Sequence, residues 1–381
     1  MDLVTDTGRT IPALRIRKRD VINRTIALYG PSGSGKTHIV KHLLDLIRGD
    51  VEQIVVVSPT EMANRSFTNY VPSPLIHYGF TAPDPKNPRK RISGPKAAEI
   101  FLQSIWDRQL MLVNTFLQAN DIKTLRLLLG RVAADLRAEA APILANVQAL
   151  KAQYEKSLHK KYPAGSGDLI TKLDELKDII EAKEGHIIKD FVRRDLSLIW
   201  ARRQELSESE RRALTYLDLK PELVLVLDDC AADLKPLFKK PEMRRYFYQN
   251  RHYRVTTIIC FQDDTDLDTN LRKNVFCSIF CTEVVCRSFF ARQSNGFNKE
   301  DRKEVDEIIP QVYDVQGGHR YRKIVYRRDD PSGAHYYHFT SPSPKEQMFC
   351  APSVAELCRA MKAPDASVDT DNPFYRNFQA Y

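Results

Sequence analysis

The chain has 381 residues, 43% hydrophobic and 28% charged, with 21 prolines and 15 glycines, a composition that fits a soluble globular protein and excludes a disordered or fibrous one. Its 58 Lys and Arg against 49 Asp and Glu give a formal net charge of +9, which favours a polyanionic partner without requiring one. No run of eighteen apolar residues occurs, and the first thirty residues carry RIRKRD rather than an apolar stretch, so the expectation is an intracellular protein with neither a membrane span nor a signal peptide.

Residues 24–29, RTIALY, form a short apolar run that predicts a strand. GPSGSGKT follows, and then THIVKHLLDLIR, whose apolar residues recur at helical spacing up to Gly49. QIVVVSPT at 53–60 is a β-branched run that reads as a buried parallel strand, completing a βαβ unit. Residues 81–96 contain four prolines among Lys and Arg and predict an extended, basic linker. From 97 to 218, Ala, Leu, Lys and Glu dominate, with Leu102, Ile105, Leu112 and Phe116 on one helical face and a break at YPAGSGD, so a helical insertion is expected. LVLVLDD at 223–229, VTTIICFQ at 255–262 and NVFCSIFC at 274–281 then read as further buried strands. The recurrence predicts an α/β fold with a mainly parallel central sheet, built from residues 1–80 and 219–340 around the linker and the insertion, with a C-terminal tail over 341–381. Seven cysteines, Cys230, Cys260, Cys277, Cys281, Cys286, Cys350 and Cys358, read as reduced packing residues. The alternative, zinc ligation by Cys277, Cys281 and Cys286, lacks a close CxxC pair.

The chemistry concentrates after the first strand. Gly30-Pro31-Ser32-Gly33-Ser34-Gly35-Lys36-Thr37, followed by His38, satisfies the P-loop pattern in the strand-to-helix context that gives it meaning. The glycines let backbone amides converge on phosphates at a helix N-terminus. ATP and Mg²⁺ are the expected ligands, with Lys36 on the β- and γ-phosphates and the Thr37 hydroxyl on the metal. The paired carboxylates ending LVLVLDD supply Asp228 for the metal and Asp229 to polarise the attacking water; the alternative for Asp229 is a turn cap. Gln262 closes its own apolar strand and is expected to orient water or sense the γ-phosphate. Arg251 and Arg272 are candidates for transition-state charge stabilisation from a neighbouring subunit, with plain surface arginines as the alternative.

IALYGPSGSGKT, IVVVSPTEMANRSFTNYVP, LVLVLDD and QNRHYRVTTIICFQDDTDLDTNLRKN, in this order, make the chain resemble the poxvirus-type DNA-packaging ATPases, members of the FtsK/HerA branch of P-loop ATPases. The resemblance implies a RecA-like core and a homo-oligomeric ring, a hexamer or pentamer, that threads double-stranded DNA into a capsid. It also implies capsid or portal-vertex partners, and residence in the cytoplasm or nucleus of an infected host cell and in the virion. The helical insertion and the Asp at position 229 depart from the family pattern. Two basic stretches are the candidate DNA contacts, namely Lys86, Arg89, Lys90 and Arg91 in the linker, and Arg320, Arg322 and Lys323 in HRYRKIVYRR. Their alternatives are a localisation-like linker and a charge-guarded edge strand. Two other functions fit the glycine loop: phosphate transfer of the nucleoside monophosphate kinase type, and a nucleotide-switched assembly factor without motor activity.

Overall fold

A computed structural model describes residues 2–313, 321–328, 335–345, 347–350 and 352–362. The chain divides into two compact units, one of residues 1–110 with the segment from Pro221 onward, the other Met111–Lys220.

The first unit is built on a sheet whose described strands are β1 Thr25–Tyr29, β2 Gln53–Val57, β3 Ile76–His77, β4 Leu223–Asp228, β5 Val255–Phe261, β6 Cys277–Phe280, β7 Arg322–Tyr326 and β8 Tyr336–Thr340. Their spatial order is β8-β7-β6-β1-β5-β4-β2-β3. The pairs from β6 through β3 are parallel, and only β6–β7 and β7–β8 are antiparallel. The expected α/β class with a mainly parallel central sheet is therefore what the chain forms. Every residue of β1, β4 and β5 is buried, because helices cover both faces and successive side chains enter opposite cores. Ile26, Leu28, Val224, Val226 and Ile258 pack against Ile39, Val40, Leu43 and Leu44 of helix α1, Lys36–Ile47. Ala27, Tyr29, Leu225, Leu227 and Ile259 face Phe101, Leu102, Trp106, Met243 and Tyr246 on the other side.

Three differences from the sequence expectation have local causes. Residues 81–96, expected as an extended, basic linker, pair with each other instead, Thr81–Asp84 and Asn87–Ser93 forming an antiparallel hairpin. Among the described residues the pair forms a two-stranded sheet, and edge strands of this kind are where prolines such as Pro83 and Pro88 are tolerated. The helix α2, Pro95–Ala119, begins in the first unit, where Ala97, Ala98, Phe101, Leu102, Ile105 and Trp106 are buried, and only its C-terminal turns belong to the second. The alternative offered for HRYRKIVYRR, a charge-guarded edge strand, does not hold, since β7 is paired on both sides.

The second unit is helical. Its longest elements, α3 Ala134–Lys161 and α4 Gly167–Arg194, are joined through the YPAGSGD break, where Ser166 caps α4 by accepting from the Leu169 amide. Leu125, Leu128, Ile188, Val192, Leu206 and Leu214 form its core. Gly185 in mid-helix admits a close neighbour: a Cβ there would sit 3.3 Å from the Leu125 methyl. No described helix is long and apolar enough to cross a membrane.

Candidate active site

Strand register assembles the site. Tyr29 pairs with Phe261 and with Phe280, so one residue further on Gly30 lies between Gln262 and Cys281. Val57 pairs with Leu227, which puts Ser58 beside Asp228 in the same way. These are the C-terminal ends of parallel strands, the place where open α/β sheets bind ligands.

The glycines of the loop are required by geometry. A Cβ on Gly30 would lie 2.6 Å from Ser34 Oγ and 2.8 Å from Cys281 Cβ, which no side chain tolerates. Gly33 and Gly35 have φ of 76° and 96°, in the left-handed region open to glycine. Gly35 also caps α1 with no side chain occupying its first amides, leaving a helix N-terminus that attracts an anion through its amides and its dipole. Pro31, Ser32, Gly33 and His38 are exposed, whereas Ser34, Gly35 and Thr37 are half-buried.

Lys36 is 6% exposed and donates to the Gly30 and Pro31 carbonyls at 2.6 and 3.1 Å. Its ammonium also lies 4.0 Å from Asp229 Oδ1. The sequence-predicted lysine and acidic pair are therefore brought together from segments far apart in the chain. Asp228 is 4% exposed and accepts from Ser58 Oγ at 3.3 Å. Burial, reinforced by the Asp229 charge and opposed by Lys36, pushes its carboxyl above the usual aspartate range. Asp229 has a φ of 53°, a conformation that costs most residues about 1–2 kcal/mol and Asp less. Its Oδ1 is buried without a hydrogen-bond partner. Buried acceptors are nearly always paired, so an orphaned carboxylate oxygen next to a raised-pKa neighbour marks a site short of positive charge. Mg²⁺ fits that donor set, with Thr37 and Asp228 as the residues to hold it.

Gln262 is exposed directly after β5, which runs between the P-loop strand and the acidic strand, and the Phe261 carbonyl accepts from the Gly30 amide at 3.1 Å. The loop that follows is tied down by its own polar groups. Asp264, fully buried, accepts from Ser288 and from Arg292, and Asp263 caps a turn through Thr265. Arg272 belongs to this network and not to a surface: its side chain is 7% exposed, and it donates to the Leu267 carbonyl and to Asn295 Oδ1, both at 2.7 Å. That corrects the expectation of an arginine presented to a neighbour. Arg251 is exposed, but it precedes β5. Seven strand residues at ~3.3 Å each hold it roughly 20 Å from Gln262, at the far end of the sheet.

The candidate DNA contacts separate. Lys86, Arg89, Lys90 and Arg91 are exposed on the hairpin, Arg91 donating to Thr81 Oγ1 at 2.9 Å. Arg322 is half-buried on β7, Arg320 lies outside the described residues, as do residues 363–381 of the tail, and Pro352–Lys362 within the tail is a helix. Lys323 does not fit its expected role, since it is only 8% exposed and donates to the carbonyls of Cys281 and Ser34 in the P-loop region. Cys230, Cys260, Cys277, Cys281, Cys286 and Cys350 are free thiols. Cys277 and Cys281 pack in the core on one face of the sheet and Cys286 in the core on the other, so the three do not converge on a metal. Two residues of the site escaped the sequence reading. Ser58 was legible in principle, as a hydroxyl at the end of a predicted strand, but Lys323 carries no local signal of its destination.

No family model matches the chain. It is 39% identical over all 381 residues to the uncharacterized protein B354L of the Warthog/Namibia isolate of African swine fever virus, covering 100% of this chain and 99% of that protein. Identity to B354L of the Tick/Malawi isolate is the same, 39% over 381 residues. Among solved structures, the cytoplasmic domain of the type VII secretion ATPase EccC of Thermomonospora curvata aligns with 94% of this chain and 30% of that one, at 13% identity and a TM-score of 0.32. The plasmid coupling protein TrwB, in complex with a non-hydrolysable GTP analogue, aligns with 93% of this chain and 92% of its own at 14% identity and a TM-score of 0.29. Overlaps this loose say nothing about function.

Proposed function

Since the chain belongs to the B354L family of African swine fever virus proteins, we propose that it is a viral ATPase that hydrolyses ATP·Mg²⁺ and uses the energy to move double-stranded DNA, packaging it into a capsid. The observation that carries the catalytic part is Asp229, whose buried Oδ1 has no hydrogen-bond partner and forms a long ion pair, at 4.0 Å, with the P-loop lysine.

In this reading Lys36 exchanges the Gly30 and Pro31 carbonyls for β- and γ-phosphate oxygens, while the amides opening α1 take the remaining phosphate charge. Thr37 and Asp228 would hold Mg²⁺, which when bound neutralises phosphate charge. Ser58 keeps Asp228 oriented by donating to it. Asp229 accepts the proton of the attacking water and Gln262 holds that water in line. The left-handed backbone at Asp229 turns its carboxylate toward Lys36, and a shorter acid than Glu is served by that turn. A ring of copies would bring Arg251 of a neighbour to each site, the only route open to a residue at the far end of its own sheet. The packaging role rests on the family resemblance of the four motif segments and on the viral relatives, and the exposed Lys86, Arg89 and Lys90 suit a motor that must grip any sequence by its phosphates.

The test is ATP turnover by the wild type and by Asp229→Asn, with and without duplex DNA, alongside nucleotide affinity. Asn tolerates the same left-handed backbone, so the variant isolates the chemistry. Turnover should fall by about 100-fold or more, with affinity within a few-fold and with duplex DNA stimulating the wild type. Normal hydrolysis by Asp229→Asn would reject Asp229 as the catalytic carboxylate. Phosphate transfer to a nucleoside monophosphate, or tight ATP binding without turnover, would replace the motor reading by one of its two rivals.

A further inference from the structure

Lys323 sits where no motif predicts a lysine. Phe280 pairs with Tyr29 on one side and Ile324 on the other, so Gly30, Cys281 and Lys323 fall in one row across three strands. The Lys323 ammonium donates to the Cys281 carbonyl at 2.9 Å and to the Ser34 carbonyl at 3.1 Å. Among the described residues no ion pair joins it to a carboxylate. Two hydroxyl oxygens of the same segments, Ser34 Oγ and Thr282 Oγ1, are buried with no hydrogen-bond partner.

Burying an ammonium without a counter-charge is costly, and burial draws this one below the ordinary lysine range. A core has no reason to retain such a group when a methionine would fill the space. A loop that receives a polyanion does have one, because the ligand supplies the missing negative charge. The backbone gives the lysine a second task. A trans peptide holds its C=O and the next N–H in opposite directions in one plane, so the Ser34 carbonyl, drawn to Lys323, aims the Gly35 N–H away from Lys323. Gly35 at φ 96° has no side chain to fix this peptide, and the neighbouring cation does so instead.

We propose that Lys323 is a positioning residue for the nucleotide phosphates, locking the Ser34–Gly35 peptide in its phosphate-accepting orientation and placing a second fixed cation, after Lys36, behind the P-loop. The inference rests on the reading of that loop as an ATP site. It also ties β7, a strand far from the loop in sequence, to nucleotide binding. A role confined to holding β7 in the sheet would cost stability and leave nucleotide affinity alone.

The experiment measures the affinity of a fluorescent N-methylanthraniloyl-ATP with Mg²⁺, the KM and kcat of ATP hydrolysis, and the thermal midpoint. The proteins are the wild type, Lys36→Ala, Lys323→Met and Lys323→Gln. Loss of charge-assisted hydrogen bonds to the loop should weaken binding by Lys323→Met about tenfold or more, with KM rising in step and kcat changing by less than about threefold, the signature of lost ground-state binding. Lys323→Gln keeps an uncharged N–H donor group on a shorter side chain and should fall between Met and the wild type. Wild-type affinity in either folded variant overturns the proposal, and if the Met variant does not fold, the Gln variant decides by the same criterion. A wild type that binds no nucleotide, or a Lys36→Ala protein that binds as well as the wild type, removes the ATP-site reading itself, whatever Lys323 does.

Discussion

Arg272 donates two hydrogen bonds into one corner of the first unit, to the Leu267 carbonyl and to Asn295, and its charge lies 4.0 Å from the fully buried Asp264. Removing it strands the Leu267 and Asn295 acceptors and takes a positive charge from beside a buried carboxylate, which Arg292 and Ser288 then hold alone. Arg272→Ala should therefore lose about 2–4 kcal/mol of stability in urea unfolding, at any protein concentration. Arg251→Ala, at an exposed position, should stay within about 0.5 kcal/mol and should lose ATP turnover only under conditions where copies associate. An Arg272→Ala protein of wild-type stability that had lost turnover would restore that arginine to the catalytic role. Lys36, Thr37, Asp228 and Asp229 were legible in the sequence because a P-loop and an acidic strand end declare themselves within a few residues of chain. Arg272 and Lys323 were not, because burial of a cation depends on carbonyls and amides contributed by segments distant in sequence. Ser58 was missed because its contact with Asp228 exists only through strand register.

The hairpin of Thr81–Asp84 and Asn87–Ser93 shows the same limit for an element. Its prolines exclude helix and leave extended chain, but that two extended segments pair with each other is not written in either one, and Lys86 closes the turn through Asp84. The long buried strands were legible almost to their ends, since β-branched runs bounded by turn residues have few other solutions. The start of the helical unit was not, because apolar spacing continues unbroken through α2 while its partners change near Leu110. The hairpin presents Lys86, Arg89 and Lys90 together, all exposed. If these three track phosphates, replacing them all by Ala should weaken duplex binding similarly on every sequence. The slope of log affinity against log salt should also become shallower by about 2.7, or about 0.9 for each phosphate that the hairpin no longer neutralises. An unchanged slope would move the DNA-binding surface elsewhere on the molecule.

For the first unit as a whole, stability in mild acid depends on His77, whose charged form the fold disfavours. It ends β3, its carbonyl accepts from the Ser58 amide, and its ring meets Phe101 edge-on at 5.0 Å. Burial, helped by the Arg91 charge, drives its pKa from the usual 6.5 down to about 4. The folded state thus keeps His77 neutral over a range where the unfolded chain binds a proton. Between pH 4 and 6.5 the unfolded state holds more protons, so stability rises with pH through that window, is complete above 6.5 and is lost as pH falls toward 4. The full effect is on the order of 3 kcal/mol, a large share of the roughly 5–15 kcal/mol that typically holds a domain together. The consequence reaches the site, because β3 lies beside β2 and the Ser58 that follows β2 donates to Asp228. Urea midpoints measured from about pH 7 to about pH 4.5 should therefore drop steeply for the wild type and less steeply for His77→Asn, which has no proton to gain. Parallel pH profiles for the two proteins would show that His77 is protonated in the folded chain and that acid acts on the sheet through other groups.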